Sequence, residues 1–137
     1  YDIFAPYWSK FPDANDPVAH SLNTLPKFVA SRSRSQFDWE NTFPMQDVTN
    51  EVKQIKHRFS HEILIQGSGD LAQTLIANEL IDEYRLLIFP VLLGKGKRLF
   101  ASGIVPTALN LIRSAVTSKG VLLCVYRKGG AVQTGTI

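Results

Sequence analysis

The chain has 137 residues, is 45% hydrophobic and 20% charged, and carries a formal net charge of +3 with a single cysteine. One cysteine excludes an internal disulfide framework, and the longest apolar run, LLIFPVLL at residues 86–93, is far short of the roughly 18 residues of a helical membrane span. What remains is a globular domain with enough apolar residues for a core, and a charge excess that suits an anionic small molecule but is too small to indicate nucleic acid.

Residues 1–26 are rich in aromatics and hold Pro6, Pro12, Pro17 and Pro26, which limits regular structure to a short helix over residues 17–23. No apolar core of signal-peptide type stands among them. KFVAS, residues 27–31, reads as a strand closed by the polar run RSRSQ. Asp47 is a good N-cap and Glu51 falls in the first turn. Val48, Val52, Ile55 and Phe59 then share one helical face, with Lys53, Lys56 and Arg58 off it.

EILIQ, residues 62–66, is apolar on both faces and reads as a central strand. From Asp70 a helical stripe of Leu71, Leu75 and Ile76 runs to about Asn78. DEYRLLIF, residues 82–89, is the next strand, followed by the basic glycine-rich loop LGKGK. Residues 108–128 read as two strands around SKG, where Gly120 can supply the positive φ of a hairpin turn. GGAVQTGTI, residues 129–137, has no periodicity and reads as a flexible tail. Alternating strands and helices followed by a hairpin predict one α/β domain over residues 1–128. Its mixed sheet is expected to be mostly parallel, flanked by helices, with a closing antiparallel hairpin.

Three stretches suit an anion. Gly67, Ser68 and Gly69 lie between a strand and a helix, where unpaired backbone N–H groups and the helix dipole favour a phosphate and glycine allows close approach. The alternative is a plain tight turn. The Rossmann fingerprint lacks its third glycine, and a P-loop needs Gly-Lys-Ser/Thr where this chain has Gly69-Asp70. Ser31 to Ser35, SRSRS, interleaves hydroxyls with Arg32 and Arg34 at a second strand end, which suits a phosphate monoester or, equally, a solvated turn. Lys95, Lys97 and Arg98 form a third basic group that reads as a solvated turn.

His57 and His61 are four apart, but neither a cysteine nor a second acid completes a metal site, so none is expected. Cys124 reads as core. Asp70, Asp82 and Glu83 are accounted for as cap or turn residues, which leaves the catalytic residues unassigned. A reduced, cytoplasmic setting fits the lone cysteine.

The block EILIQGSGDLAQTLIANELIDEYRLLIFPVLLGKGKRLF, residues 62–100, resembles the dihydrofolate-reductase-like proteins, and among them the C-terminal reductase domain of the bacterial riboflavin-biosynthesis deaminase-reductase and its stand-alone relatives. YDIFAPYW and KFVASRS resemble segments of the same relatives, so the resemblance runs from Tyr1 to about Lys128. It implies NADPH along the C-terminal edge of the strands. Gly67, Ser68, Gly69, Asp70 and Leu71 would lie against the pyrophosphate, and Ser31 and Arg32 near the adenosine 2′-phosphate. It also implies hydride transfer to a C=O or C=N group of a small molecule, and a homodimer. The relatives carry an upstream strand and a Gly-Arg-x-Thr motif, so about fifty residues are expected to precede Tyr1 in a whole domain. No deaminase zinc motif occurs. The competing expectation is a non-catalytic nucleotide- or flavin-binding module.

Overall fold

In a computed structural model, residues 1–11, 15–66, 68–100, 102, 104–133 and 135 are described. The chain divides into two compact units, Tyr1–Arg58 and Phe59–Ile137.

In the first unit, helix α1 (Ala5–Trp8) precedes helix α2 (Pro17–Thr24). Pro17 takes the first position of α2, where its missing N–H is no loss, and the Asp16 carboxylate accepts from the backbone N–H of Val18 and Ala19 at 2.8 and 3.2 Å. Strand β1 (Lys27–Ala30) pairs in parallel with strand β2 (Thr42–Met45), matching Lys27 with Thr42 and Ala30 with Met45. Nothing in the sequence pattern announces β2, because Pro44 argues against a strand. It is tolerated because β2 is, among the described residues, an edge strand with an unpaired side. The Phe28 and Phe43 rings stack across the pair at 5.6 Å.

Helix α3 (Val48–Arg58) begins with a reciprocal cap. Glu51 Oε1 accepts from the N–H of Gln46 and Asp47, both at 2.8 Å, while Asp47 Oδ1 accepts from the N–H of Asn50 at 3.2 Å. A further bond from the Asn50 side chain holds the Asp47 carboxyl below its ordinary pKa. Ala5, Ala19, Trp39, Met45 and Ile55 are the buried apolar residues described in this unit. Trp39 donates its indole N–H to Asn23 Oδ1 at 2.8 Å, and the Lys27 ammonium sits 4.8 Å from the Trp39 ring centre. Burial there lowers the Lys27 pKa, and the nearby Glu40 charge opposes the shift.

The second unit holds helix α4 (Gly69–Ala77) and strands β3 (Glu83–Ile88), β4 (Ala108–Val116) and β5 (Leu122–Gly130). The strands form an antiparallel sheet in the order β3-β5-β4, with Cys124 and Val125 of the central strand buried. The β4–β5 hairpin is as the sequence predicts, with Gly120 at φ 76° in its turn. The register slips between Leu111 and Arg113, the mark of a bulge. Strand β5 runs to Gly130, so the first two residues expected in the tail belong to a strand, with Gly130 paired to Ala108.

Helix α4 closes without glycine. Leu80 N–H reaches the Leu75 carbonyl at 2.9 Å and Glu79 N–H the Ile76 carbonyl at 3.0 Å, a Schellman closure that puts Glu79 at φ 56°. A 2.6 Å ion pair to Lys128 holds the Glu79 side chain.

The architecture is the expected mixed α/β one, with a parallel pair, an antiparallel sheet and helices. Two details differ. The parallel component is confined, among the described residues, to β1 and β2. Residues 62–66, expected as a central strand, carry no ladder there. A strand exists only through a partner backbone, whatever its own propensity. Here the segment is fastened by a side chain instead, Glu62 Oε1 lying 2.7 Å from Arg85 Nη2, and Ile63 and Leu64 stay exposed.

Candidate functional site

The two anion-binding candidates sit in different units, and each is built locally. In the first unit, β1 ends at Ala30, and the ladder is prolonged by a bond from Ser31 N–H to the Met45 carbonyl at 3.2 Å. The chain then folds back. Ser31 Oγ accepts from Arg34 N–H at 2.9 Å and from Ser33 N–H at 3.4 Å, so this hydroxyl oxygen organises the SRSRS turn.

Tyr1 clamps the far side of the turn. Its phenolic oxygen accepts from the N–H groups of Asp38 and Trp39 at 3.1 and 3.2 Å, and its ring lies 4.8 Å from that of Phe37. Between these pieces is a cleft of about 200 Å³, lined by residues 29–31 with Tyr1, Asp2, Ser33, Arg34 and Phe37. Ser31 therefore lies where the sequence places it, at a concave strand end. Arg32 is exposed, is not among the residues lining the cleft, and has no ion-pair partner among the described residues. The arginine in the cleft wall is Arg34, paired with Asp2 at 2.6 Å.

In the second unit, Gly67 lies outside the described residues. Ser68 precedes α4 at φ 52° and ψ 76°, a left-handed conformation, and its side chain makes no capping bond. The first N–H groups of α4 consequently have no side-chain cap from the N-cap residue. A Cβ built on Gly69 meets nothing within 4 Å, so there is open space over the start of the helix. Asp70 stands exposed in the first turn and Leu71 is half-buried. These features form a cradle of the kind an anion fits, with the Asp70 carboxylate as an opposing charge at its rim.

The basic loop is brought to the same helix. Gln73, one turn into α4, donates its side-chain amide to the carbonyls of Arg98, at 3.4 Å, and Leu99. The segment that carries Lys95, Lys97 and Arg98 is exposed, as a solvated turn would be, but is anchored to α4 at the Arg98 and Leu99 carbonyls. Sequence reasoning missed this anchor, and it also missed Asp2 and Tyr1. No spacing rule relates a glutamine to carbonyls 25 and 26 residues away, or an aspartate to an arginine 32 residues away.

Among the described residues no cluster of His, Cys, Asp or Glu has the geometry to hold a metal ion, and no helix is long and apolar enough to cross a membrane. Beside β3, a charge network links Glu62, Arg85, Glu83 and Arg127 at 2.7 to 3.1 Å. Hydrogen bonds from Arg85 first, and then Arg127, hold the Glu83 carboxyl below its ordinary pKa. Every charge in this network has a partner, which suits a structural role.

Comparison with known proteins gives similarities of three kinds. Residues 8–123 match the family model described as the RibD C-terminal domain. The chain is 30% identical over 132 residues to the uncharacterized protein YyaP of Bacillus subtilis (strain 168), an alignment covering 95% of this chain and 70% of that protein. Among solved structures it resembles a "Putative riboflavin biosynthesis protein" from Shewanella sp. PV-4, with a TM-score of 0.68 and 24% identity. That match covers 77% of this chain and 62% of the solved one, so the chain spans less than two thirds of its structural neighbour.

Proposed function

The chain belongs to the RibD C-terminal domain family, and from that membership we propose that it is an NADPH-dependent reductase acting on a C=O or C=N group of a small molecule. The family match over residues 8–123 is the observation that carries this reading. The local geometry supports it. A left-handed Ser68 whose side chain makes no capping bond and open space over Gly69 suit a pyrophosphate, with Ser68 to Leu71 supplying backbone N–H donors. The cleft at Ser31, with Arg32 beside it, suits the 2′-phosphate.

When bound, NADPH would supply a hydride. With a proton from solvent or a side chain, the carbonyl becomes an alcohol or the imine an amine, and the cofactor leaves as NADP⁺. The work of the residues named here is binding and orientation. Backbone donors hold the diphosphate and cations read the 2′-phosphate, so that position rather than acid–base chemistry is what this part of the protein contributes. A pyrimidine of the riboflavin pathway is the substrate class to test first, since the structural neighbour bears a riboflavin-biosynthesis name.

The test is thermal stabilisation. NADPH should raise the melting temperature more than NADH at equal concentration, and Arg32→Ala should narrow the difference. Equal or absent shifts with both nucleotides would sink the reading. Loss of NADPH absorbance with a carbonyl or imine substrate then separates a reductase from a module that only binds. The homodimer implied by the resemblance is tested separately by light scattering.

A further inference from the structure

The two arginines of SRSRS are chemically alike but electrostatically unequal. Arg32 lies outside the cleft and has no ion-pair partner among the described residues, whereas the Arg34 guanidinium, in its wall, lies 2.6 Å from Asp2 Oδ1 and 5.3 Å from the centre of the Tyr1 ring. This placement is over-determined. Arg34 N–H is bonded to Ser31 Oγ, and Tyr1 is itself fixed by two backbone N–H groups and by Phe37. One donor of the guanidinium faces Asp2 and one face covers Tyr1. Arg34 nevertheless remains 46% exposed, with donors to spare for an incoming ligand.

We propose that Asp2 restrains the anion affinity of this cleft by neutralising Arg34, so that the Asp2–Arg34 pair, and not Arg32 alone, sets how strongly the site favours a nucleotide with a 2′-phosphate. The proposal rests on the reading of the cleft as the 2′-phosphate site. A phosphate dianion entering beside Ser31 meets a guanidinium whose charge is already offset, and it meets the Asp2 carboxylate itself, a like charge. The pair is solvent-exposed, with Asp2 at 78%, so its own strength is modest and a ligand can compete with it. The dianion gains most when the acid is gone. A ligand without a 2′-phosphate places no charge there and gains nothing.

The experiment is a calorimetric titration of adenosine 2′,5′-bisphosphate and adenosine 5′-monophosphate, at fixed ionic strength, into the wild type, Asp2→Asn, Asp2→Ser, Arg34→Gln and the Asp2→Asn/Arg34→Gln double variant. Both Asp2 variants should bind the bisphosphate about threefold to tenfold tighter than the wild type, the size expected for releasing one partly exposed charge pair. The monophosphate should be unchanged and the gain should vanish in the double variant. A bisphosphate affinity that is unmoved in both Asp2 variants, or a gain that survives Arg34→Gln, overturns the proposal. A wild type that binds neither nucleotide, with a bisphosphate gain on removing Asp2, would count against the NADPH reading and leave the restraint standing. Wild-type binding of the bisphosphate with no response to Asp2 would do the reverse. Absence of binding in every variant removes both.

Discussion

Gln73 ties helix α4 to the basic loop, its side-chain amide donating to the carbonyls of Arg98 and Leu99. The bond fixes the C-terminal end of a glycine-rich segment with three cations to the helix at whose start the pyrophosphate is proposed. The loop is otherwise exposed throughout. Gln73→Ala should release it at a stability cost of about 1 kcal/mol, the ordinary net worth of such hydrogen bonds. Limited trypsin digestion should then cut faster at Lys95, Lys97 and Arg98 while the melting temperature falls by only about 2–6 °C. An unchanged cleavage rate would show that the loop is held by something else.

Gly69 offers a clean separation of ligand binding from folding. A methyl group there meets no atom within 4 Å, the residue has no positive φ, and a compatible glycine-to-alanine change stabilises by about 0.4–1 kcal/mol by reducing the entropy of the unfolded chain. Gly69→Ala should therefore keep or raise the melting temperature of the ligand-free protein. The same methyl would intrude on a pyrophosphate seated at the helix start, so NADPH affinity should drop by about tenfold or more. Undiminished NADPH binding in a stable Gly69→Ala protein would move the pyrophosphate elsewhere.

Glu83 gives a pH dependence with a defined sign. Its folded-state pKa is depressed, chiefly by the Arg85 hydrogen bond, so its contribution is present above the unfolded value of about 4.3 and is lost as pH falls through the lower folded value. Glu83→Gln should lower the melting temperature at pH 7, and the gap to the wild type should close in acid, below about pH 4. A gap of the same size at pH 7 and pH 3 would mean that the ion pairs to Arg85 and Arg127 are not its cause.

Asn23 joins three segments of the first unit. Its amide donates to the carbonyls of Trp8 and Phe11 at 3.1 and 3.2 Å and its oxygen accepts from the buried Trp39 indole. Asn23→Ala leaves that indole N–H without its partner and should destabilise the protein by about 1–3 kcal/mol in chemical denaturation. In a Trp39→Phe background the same change should cost distinctly less, because the orphaned donor no longer exists. Equal costs in both backgrounds would assign the effect to the Trp8 and Phe11 carbonyls.

Much of the local structure was legible because its causes are local. Pro17 opening α2, Asp47 answered by Glu51, the 71-75-76 stripe of α4 and Gly120 between two apolar strands each carry their cap, periodicity or turn within a few residues. Strand β2 was hidden because Pro44 is disfavoured in any strand except an edge, and being an edge is a property of the sheet. Residues 62–66 show the converse, a pattern of strand type with no ladder among the described residues.

The candidate site divides along the same line. Sequence by itself marked Gly67, Ser68 and Gly69 and the run Ser31 to Ser35 with Arg32 and Arg34, because hydroxyl, guanidinium and glycine chemistry is written in adjacent residues, and the family resemblance added Asp70 and Leu71. Only the tertiary structure decided that Arg34 walls the cleft while Arg32 stays outside, that Asp2 neutralises it, and that Gln73 carries the basic loop to α4. These partners lie 32 and 25 residues apart in the chain. A charge or a carbonyl at that separation acts only once folding has brought it within a few ångströms, because solvent screening removes its influence at longer range.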